Sequence, residues 1–195
     1  MSKDTNRSSR NTITSLFLDT EFTDLKLGSA KLISLALVND AGTKAFYAET
    51  TMYRLEDCSE FCKAHVLPLL DLPPEWRLSQ PALKHELKKY FATFDGPVRI
   101  WADTFQWDWI HITDLFPKWD WAGWPPNLEP SCGFQHYWGD DYVRAKWIQQ
   151  QLQMPEESAY RTQLGYRKPF RLHHAQDDAE VNRLIWLDLQ KFQSS

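Results

Sequence analysis

The run Ser15-Leu16-Phe17-Leu18-Asp19-Thr20-Glu21-Phe22 is apolar until it reaches two acids. A short run of this kind predicts a strand within a sheet, and alternate residues of a strand face the same way. Asp19 and Glu21 then project together, while Leu18 and Thr20 turn to the opposite face. A buried strand that delivers paired carboxylates to one spot limits the fold to architectures in which other segments can reach that spot.

Residues 32–38 read as a second apolar strand, stopped by the turn sequence Asn39-Asp40-Ala41-Gly42, and residues 44–49 as a third. Such short connections favour an antiparallel meander. Helices are expected over 57–66, ended by Pro68, and over 79–94, with Leu83, Leu87, Tyr90 and Phe91 on one side. A short strand follows at 98–102, then a helix from about Gln106 to Leu115, a Trp- and Pro-rich loop over 116–130, and a helix over 141–152. The last helix spans about 175–192, with Val181, Leu184, Ile185, Leu189 and Phe192 on its apolar face. Strands first, then helices alternating with a strand, imply an α/β layer fold with a mixed sheet.

The length of 195 residues fits a single domain at 14–195 behind a flexible segment at 1–13. No apolar run approaches the roughly 18 residues that span a bilayer, and the polar start lacks the apolar core of a signal peptide, so the expected location is the cytoplasm with no membrane partner. Cys58, Cys62 and His65 share a face if their segment is helical, but a fourth zinc ligand is not evident, and small apolar residues on a helix are the favoured reading. The net charge of −4 has the wrong sign for a protein that coats nucleic acid by bulk attraction. It does not count against an enzyme that brings its own cations.

Three more acids and a histidine stand out. Asp108 sits near the expected start of a helix, where a carboxylate is also favoured by the helix dipole. Asp103, at the end of the preceding strand, is its rival; Trp107 beside Asp108 is suited to fix that position and decides the choice for Asp108. His173 and Asp178 are five residues apart, which in an ideal helix leaves them about 140° apart, too far round to share a pocket. The arrangement that reconciles them puts His173 in the loop before the last helix and Asp178 in its first turn. Clustered carboxylates bind hard divalent cations, and a neighbouring imidazole supplies a base that works near neutral pH. The combination suggests metal-assisted hydrolysis of a phosphodiester.

With those residues in view, the chain resembles the DEDDh family of 3′→5′ exonucleases, which have a ribonuclease H-like fold. The first motif resembles Phe17-Leu18-Asp19-Thr20-Glu21-Phe22, the third His173-His174-Ala175-Gln176-Asp177-Asp178-Ala179, and the second an aromatic residue followed by Asp, here Trp107-Asp108. Trp101-Ala102 with an acid six residues later, and His65-Val66-Leu67-Pro68, look like a small bacterial branch of exoribonuclease-type proteins. Two departures stand out: Ala102-Asp103 occurs where many relatives have His-Asn, and Thr23-Asp24-Leu25 where many have Thr-Gly-Leu.

The resemblance implies a catalytic set of Asp19, Glu21, Asp108, His173 and Asp178. Asp19 would bridge two Mg²⁺ or Mn²⁺ ions, Glu21 and Asp178 would help hold the ion that binds the attacking water, and Asp108 would serve the other. His173 would accept the water's proton. Phe22, Thr23, Leu25, Trp107 and Arg171 are the expected substrate contacts, with Arg167 and Lys168 further upstream. The cluster Trp119, Trp121 and Trp124 could stack bases, although loop packing or a homodimer contact is the favoured reading. The expected partner is a 3′ end of single-stranded RNA or DNA, RNA slightly favoured, released as nucleoside 5′-monophosphates. The alternatives are a catalytically weak end-binding module and a nucleotide phosphohydrolase using the same acids.

Overall fold

The computed structural model describes residues 13–26, 28–117, 120, 122–132 and 170–193. The helix expected over 141–152, the residues Trp119, Trp121, Arg167 and Lys168, and the segment before Ile13 lie outside the described residues. The described chain is an α/β structure built on a five-stranded mixed sheet of order β3-β2-β1-β4-β5.

Strands β1 (Thr14–Phe22), β2 (Leu32–Asn39) and β3 (Ala45–Glu49) form the antiparallel meander, with Asp19 opposite Ala36 and Ala36 opposite Tyr47. The turn after β2 is closed by Asn39, whose side-chain oxygen accepts from the backbone of Thr43 and Lys44, and by Gly42 at φ 68°. Strand β4 (Val98–Trp101) lies parallel to β1, reached through helix α2 (Gln80–Phe91), which buries Leu83, Leu87 and Phe91 against the sheet. One strand was not expected from the sequence. β5 (Leu128–Cys132) pairs parallel with β4 inside what reads as a Pro-rich loop. Pro130 removes one ladder donor, which an edge strand tolerates and a central one does not. The same loop sends Trp124 into the core, where its indole N–H donates to the carbonyl of Leu128 at 2.8 Å; that indole is committed to packing rather than to stacking bases.

The segment expected as one helix over 57–66 is a 3-10 turn (Leu55–Asp57) followed by α1 (Glu60–His65). Ser59 separates them, because its hydroxyl caps α1 by accepting from the amide of Cys62 at 3.1 Å. Cys58 and Cys62 are buried beside Ile33 and Val66, packed as small apolar residues, and burial pushes the Cys62 thiol up to about 12. Helix α3 (Phe105–Leu115) follows β4 directly, and helix α4 (Ala175–Gln193) packs on β1 and β2, with Ala175 and Ala179 against Ala36 and Val38 and with Val181 and Ile185 also buried. Trp186 of α4 rests against Phe17 and Trp101, locking this helix over the two parallel strands. Among the described residues no helix is long and apolar enough to cross a membrane.

Candidate metal centre

The site follows from where the parallel pairing of β1 with β4 stops. The β1–β4 pairing ends at Phe17 opposite Trp101. Asp19 and Asp103 each lie two residues further on, so both acids emerge at the same carboxyl edge of the sheet. Ligands of open α/β sheets bind at such edges. Glu21 follows Asp19 on the same face of β1, just before the register irregularity at Glu21/Phe22.

Two helices add acids from their first turns. Asp108 on α3 reaches back to β1, and its carboxylate accepts from the amide of Thr20 at 3.0 Å and from the Thr20 hydroxyl at 2.7 Å. Thr20 points away from its acidic neighbours, and this pair of bonds ties α3 to the strand. Asp178 occupies the equivalent turn of α4 and accepts from the backbone N–H of His173 at 2.9 Å. His173 lies in the turn before the helix with φ 66°, a left-handed conformation uncommon for a side chain other than glycine. Histidine in the loop and aspartate in the first turn is the arrangement that the five-residue spacing requires.

The adjoining acid, Asp177, is directed elsewhere. It accepts from the backbone and the Nε of Arg171, at 2.8 and 2.9 Å. Arg171 also grips both oxygens of Asp71, at 2.9 and 2.8 Å, and its guanidinium holds the Asp71 carboxyl below the usual range. His174 is buried against this cluster, stacked on Tyr47, with Nε2 3.1 Å from Asp71. Burial, aided by Arg171, pushes the His174 imidazole down. Of the two adjacent histidines, only His173 lines the acidic pocket.

Asp19, Glu21 and Asp178 form one group and Asp19, Asp103 and Asp108 another, with one ligand atom from each residue within 4.8 Å of the others in its group. Asp19 belongs to both. All the donors are carboxylate oxygens, the chemistry suited to hard cations such as Mg²⁺ and Mn²⁺. Burial raises the Asp19 carboxyl well above its ordinary range, and the neighbouring acids Asp178, Asp108, Glu21 and Asp103 raise it further. Burial with Asp178, Asp108 and Asp103 pushes Glu21 up to about 8. Asp108 is also raised, by burial and then Asp103, against the opposing pull of its bonds to Thr20. Concentrated negative charge of this kind favours either protons or cations.

The acids open into a cleft of about 590 Å³. Phe22, Leu25 and Trp107 line it, and the Phe22 and Trp107 rings stack at 5.6 Å and 13°. Two expected substrate contacts are placed differently. Thr23 is buried beneath the surface, its hydroxyl accepting from the amide of Lys31 at 2.9 Å, and Arg171 is engaged by Asp71 and Asp177 as described; neither lines the cleft. Asp103 lines it together with Asp108, and both fall in the group around Asp19. Residues not foreseen are Phe61, Cys62 and Val66 from α1 and its end, and Leu172 beside His173. Phe61 meets the His173 ring edge-on at 5.0 Å and also packs on His65. Leu25, Phe61 and Leu172 are 71%, 55% and 62% exposed, and give the acidic cleft an apolar rim.

Compared with protein-family models and with curated proteins, the chain matches none.

Proposed function

We propose that the protein is a metal-dependent 3′→5′ exonuclease of ribonuclease H-like architecture, acting on single-stranded or 3′-overhanging nucleic acid. The observation that carries this reading is the sharing of Asp19 between two groups of carboxylates at one sheet edge. The mixed sheet with its β3-β2-β1-β4-β5 order supports the architecture. An apolar rim around a charged floor suits a nucleotide, whose base and sugar offer apolar faces and whose phosphate needs cations.

Glu21 and Asp178, with Asp19, would hold one Mg²⁺ or Mn²⁺; Asp103 and Asp108, with Asp19, would hold a second. Such a pair neutralises the phosphate and stabilises both attacking and leaving oxygens of an in-line displacement. The chain's own part is orientation and proton transfer. The Thr20 bonds fix Asp108, and the Asp178 carboxylate fixes the backbone of His173. His173, held edge-on against Phe61, accepts the proton of the attacking water. Leu25 and the Phe22–Trp107 pair receive the terminal base and sugar.

A 5′-labelled oligonucleotide incubated with Mg²⁺ tests the reading. The expected result is a ladder that shortens from the 3′ end and releases nucleoside 5′-monophosphates. Internal cuts, or binding without shortening, contradict it. Hydrolysis confined to free nucleotides would point to a phosphohydrolase instead.

A further inference from the structure

A second cavity, of about 360 Å³, is lined by Trp107 and by none of the clustered acids. Trp107 lines both spaces. The new cavity is bounded by α3, by the start of β2 and by the start of α2. Its volume falls in the range of small-ligand pockets, about 300–1,000 Å³.

Its lining is half apolar and half polar in a particular way. Leu32 and the Trp107 indole supply apolar surface, while Lys31, Gln80 and Asp114 supply donors and acceptors at the edges. His111 contributes from within the core. It is 5% exposed, its ring packs 5.6 Å from Phe22, and its Nε2 has no hydrogen-bond partner among the described residues. Burial pushes the His111 imidazole down to about 4, so at neutral pH the ring carries one donor and one acceptor.

We propose that this cavity holds one nucleobase of the bound strand, at a nucleotide upstream of the scissile bond. The proposal rests on the exonuclease reading. A nucleobase presents two apolar faces and an edge of alternating donors and acceptors, which matches a lining that combines Trp107 and Leu32 with Gln80, Lys31 and Asp114. A phosphate matches poorly, because Asp114 would repel it. A purely aliphatic ligand leaves Lys31, Gln80 and Asp114 at the edges unused. The shared Trp107 wall gives the site a use: it couples the grip on an upstream base to the position of the terminal nucleotide.

The test uses a 5′-fluorescent hexaribonucleotide and five versions with one abasic residue at successive positions. Binding is read by anisotropy with Ca²⁺ in place of Mg²⁺, for the wild-type chain, for Asp114→Ala and Gln80→Ala combined, and for His111→Phe. The expected result is that an abasic residue at one upstream position weakens wild-type binding by about tenfold and weakens binding to the variants by less than about threefold. The exposed pair guards against misfolding of the His111 variant. Equal abasic penalties in all three proteins overturn the proposal. The same hexamers with Mg²⁺ keep the two readings apart: shortening from the 3′ end without coupling removes only the base site, whereas neither binding nor shortening removes both.

Discussion

Glu49 and Asp19 are both acids brought in on strands of one sheet, β3 and β1 on either side of β2, and the chain treats them in opposite ways. Glu49 is fully buried and richly served. It accepts from the amides of Asp71 and Leu72, from the Tyr47 hydroxyl and from the Nε of Arg77 at 3.0 Å. The charges that bear on Asp19 are all carboxylates. An acid retained for structure is supplied with donors by the fold, because an unpaired buried charge is destabilising. An acid surrounded by other acids is destabilising in itself, and its placement makes sense when the counter-charge arrives from solution.

The contrast can be broken most forcefully by removing each acid. Asp19→Asn should lower Mg²⁺-dependent shortening by about 10²–10³-fold or more while the protein stays folded, measured by gel assay alongside circular dichroism. Glu49→Ala should do the reverse. It should cost about 3–5 kcal/mol in denaturant unfolding, because Arg77, Tyr47 and two amides lose their acceptor, with turnover per folded molecule retained. If Glu49→Ala were neutral for stability and Asp19→Asn neutral for turnover, the distinction between the two acids would collapse.

Asp103→Asn sharpens the comparison at intermediate scale. It removes one member of the second carboxylate group and one repulsive neighbour of Asp19, Glu21 and Asp108. About a tenfold rise in the Mn²⁺ concentration needed for half-maximal turnover is expected, with the metal-free chain more stable at pH 8. Unchanged metal dependence would return the second group to Asp108 alone.

The smallest effect is on pH and stability. Glu21 rises from its ordinary 4.5 to about 8 on folding, so between those pH values the folded chain binds more protons than the unfolded one. Stability of the metal-free protein should therefore fall as pH rises through that window, and Mg²⁺ should flatten the slope. His111 acts with the opposite sign. Its imidazole drops from 6.5 to about 4, so stability should fall as pH falls across that interval, and His111→Phe should remove this component. Thermal melts from pH 4 to 9, with and without Mg²⁺, check both.

The sequence displayed the parts of the site that depend on local periodicity. The alternation at Asp19 and Glu21, and the angular mismatch of His173 and Asp178, were sufficient to place those residues on a strand, in a turn and in a helix's first turn. What stayed hidden depends on register between distant strands. Asp103 reads as the competitor of Asp108 because nothing local reveals that the end of β4 lies opposite Phe17 of β1, an alignment that seats Asp103 beside Asp19. Arg171 reads as a phosphate contact because its partner Asp71 lies 100 residues away. β5 was masked by Pro130 and by Pro125-Pro126 ahead of it, and Phe61 by an amphipathic segment too short to show a face until Ser59 is recognised as a cap.

The central claim is that these acids share cations around Asp19. Titration of the metal-free protein with Mn²⁺ in the presence of a nucleoside 5′-monophosphate, followed by calorimetry and Mn²⁺ paramagnetic resonance, tests it most directly. Two ions per chain, magnetically coupled in the wild type, and loss of that coupled pair in Asp19→Asn are predicted. Absence of saturable binding, or an unaltered stoichiometry and coupling in Asp19→Asn, would contradict the account.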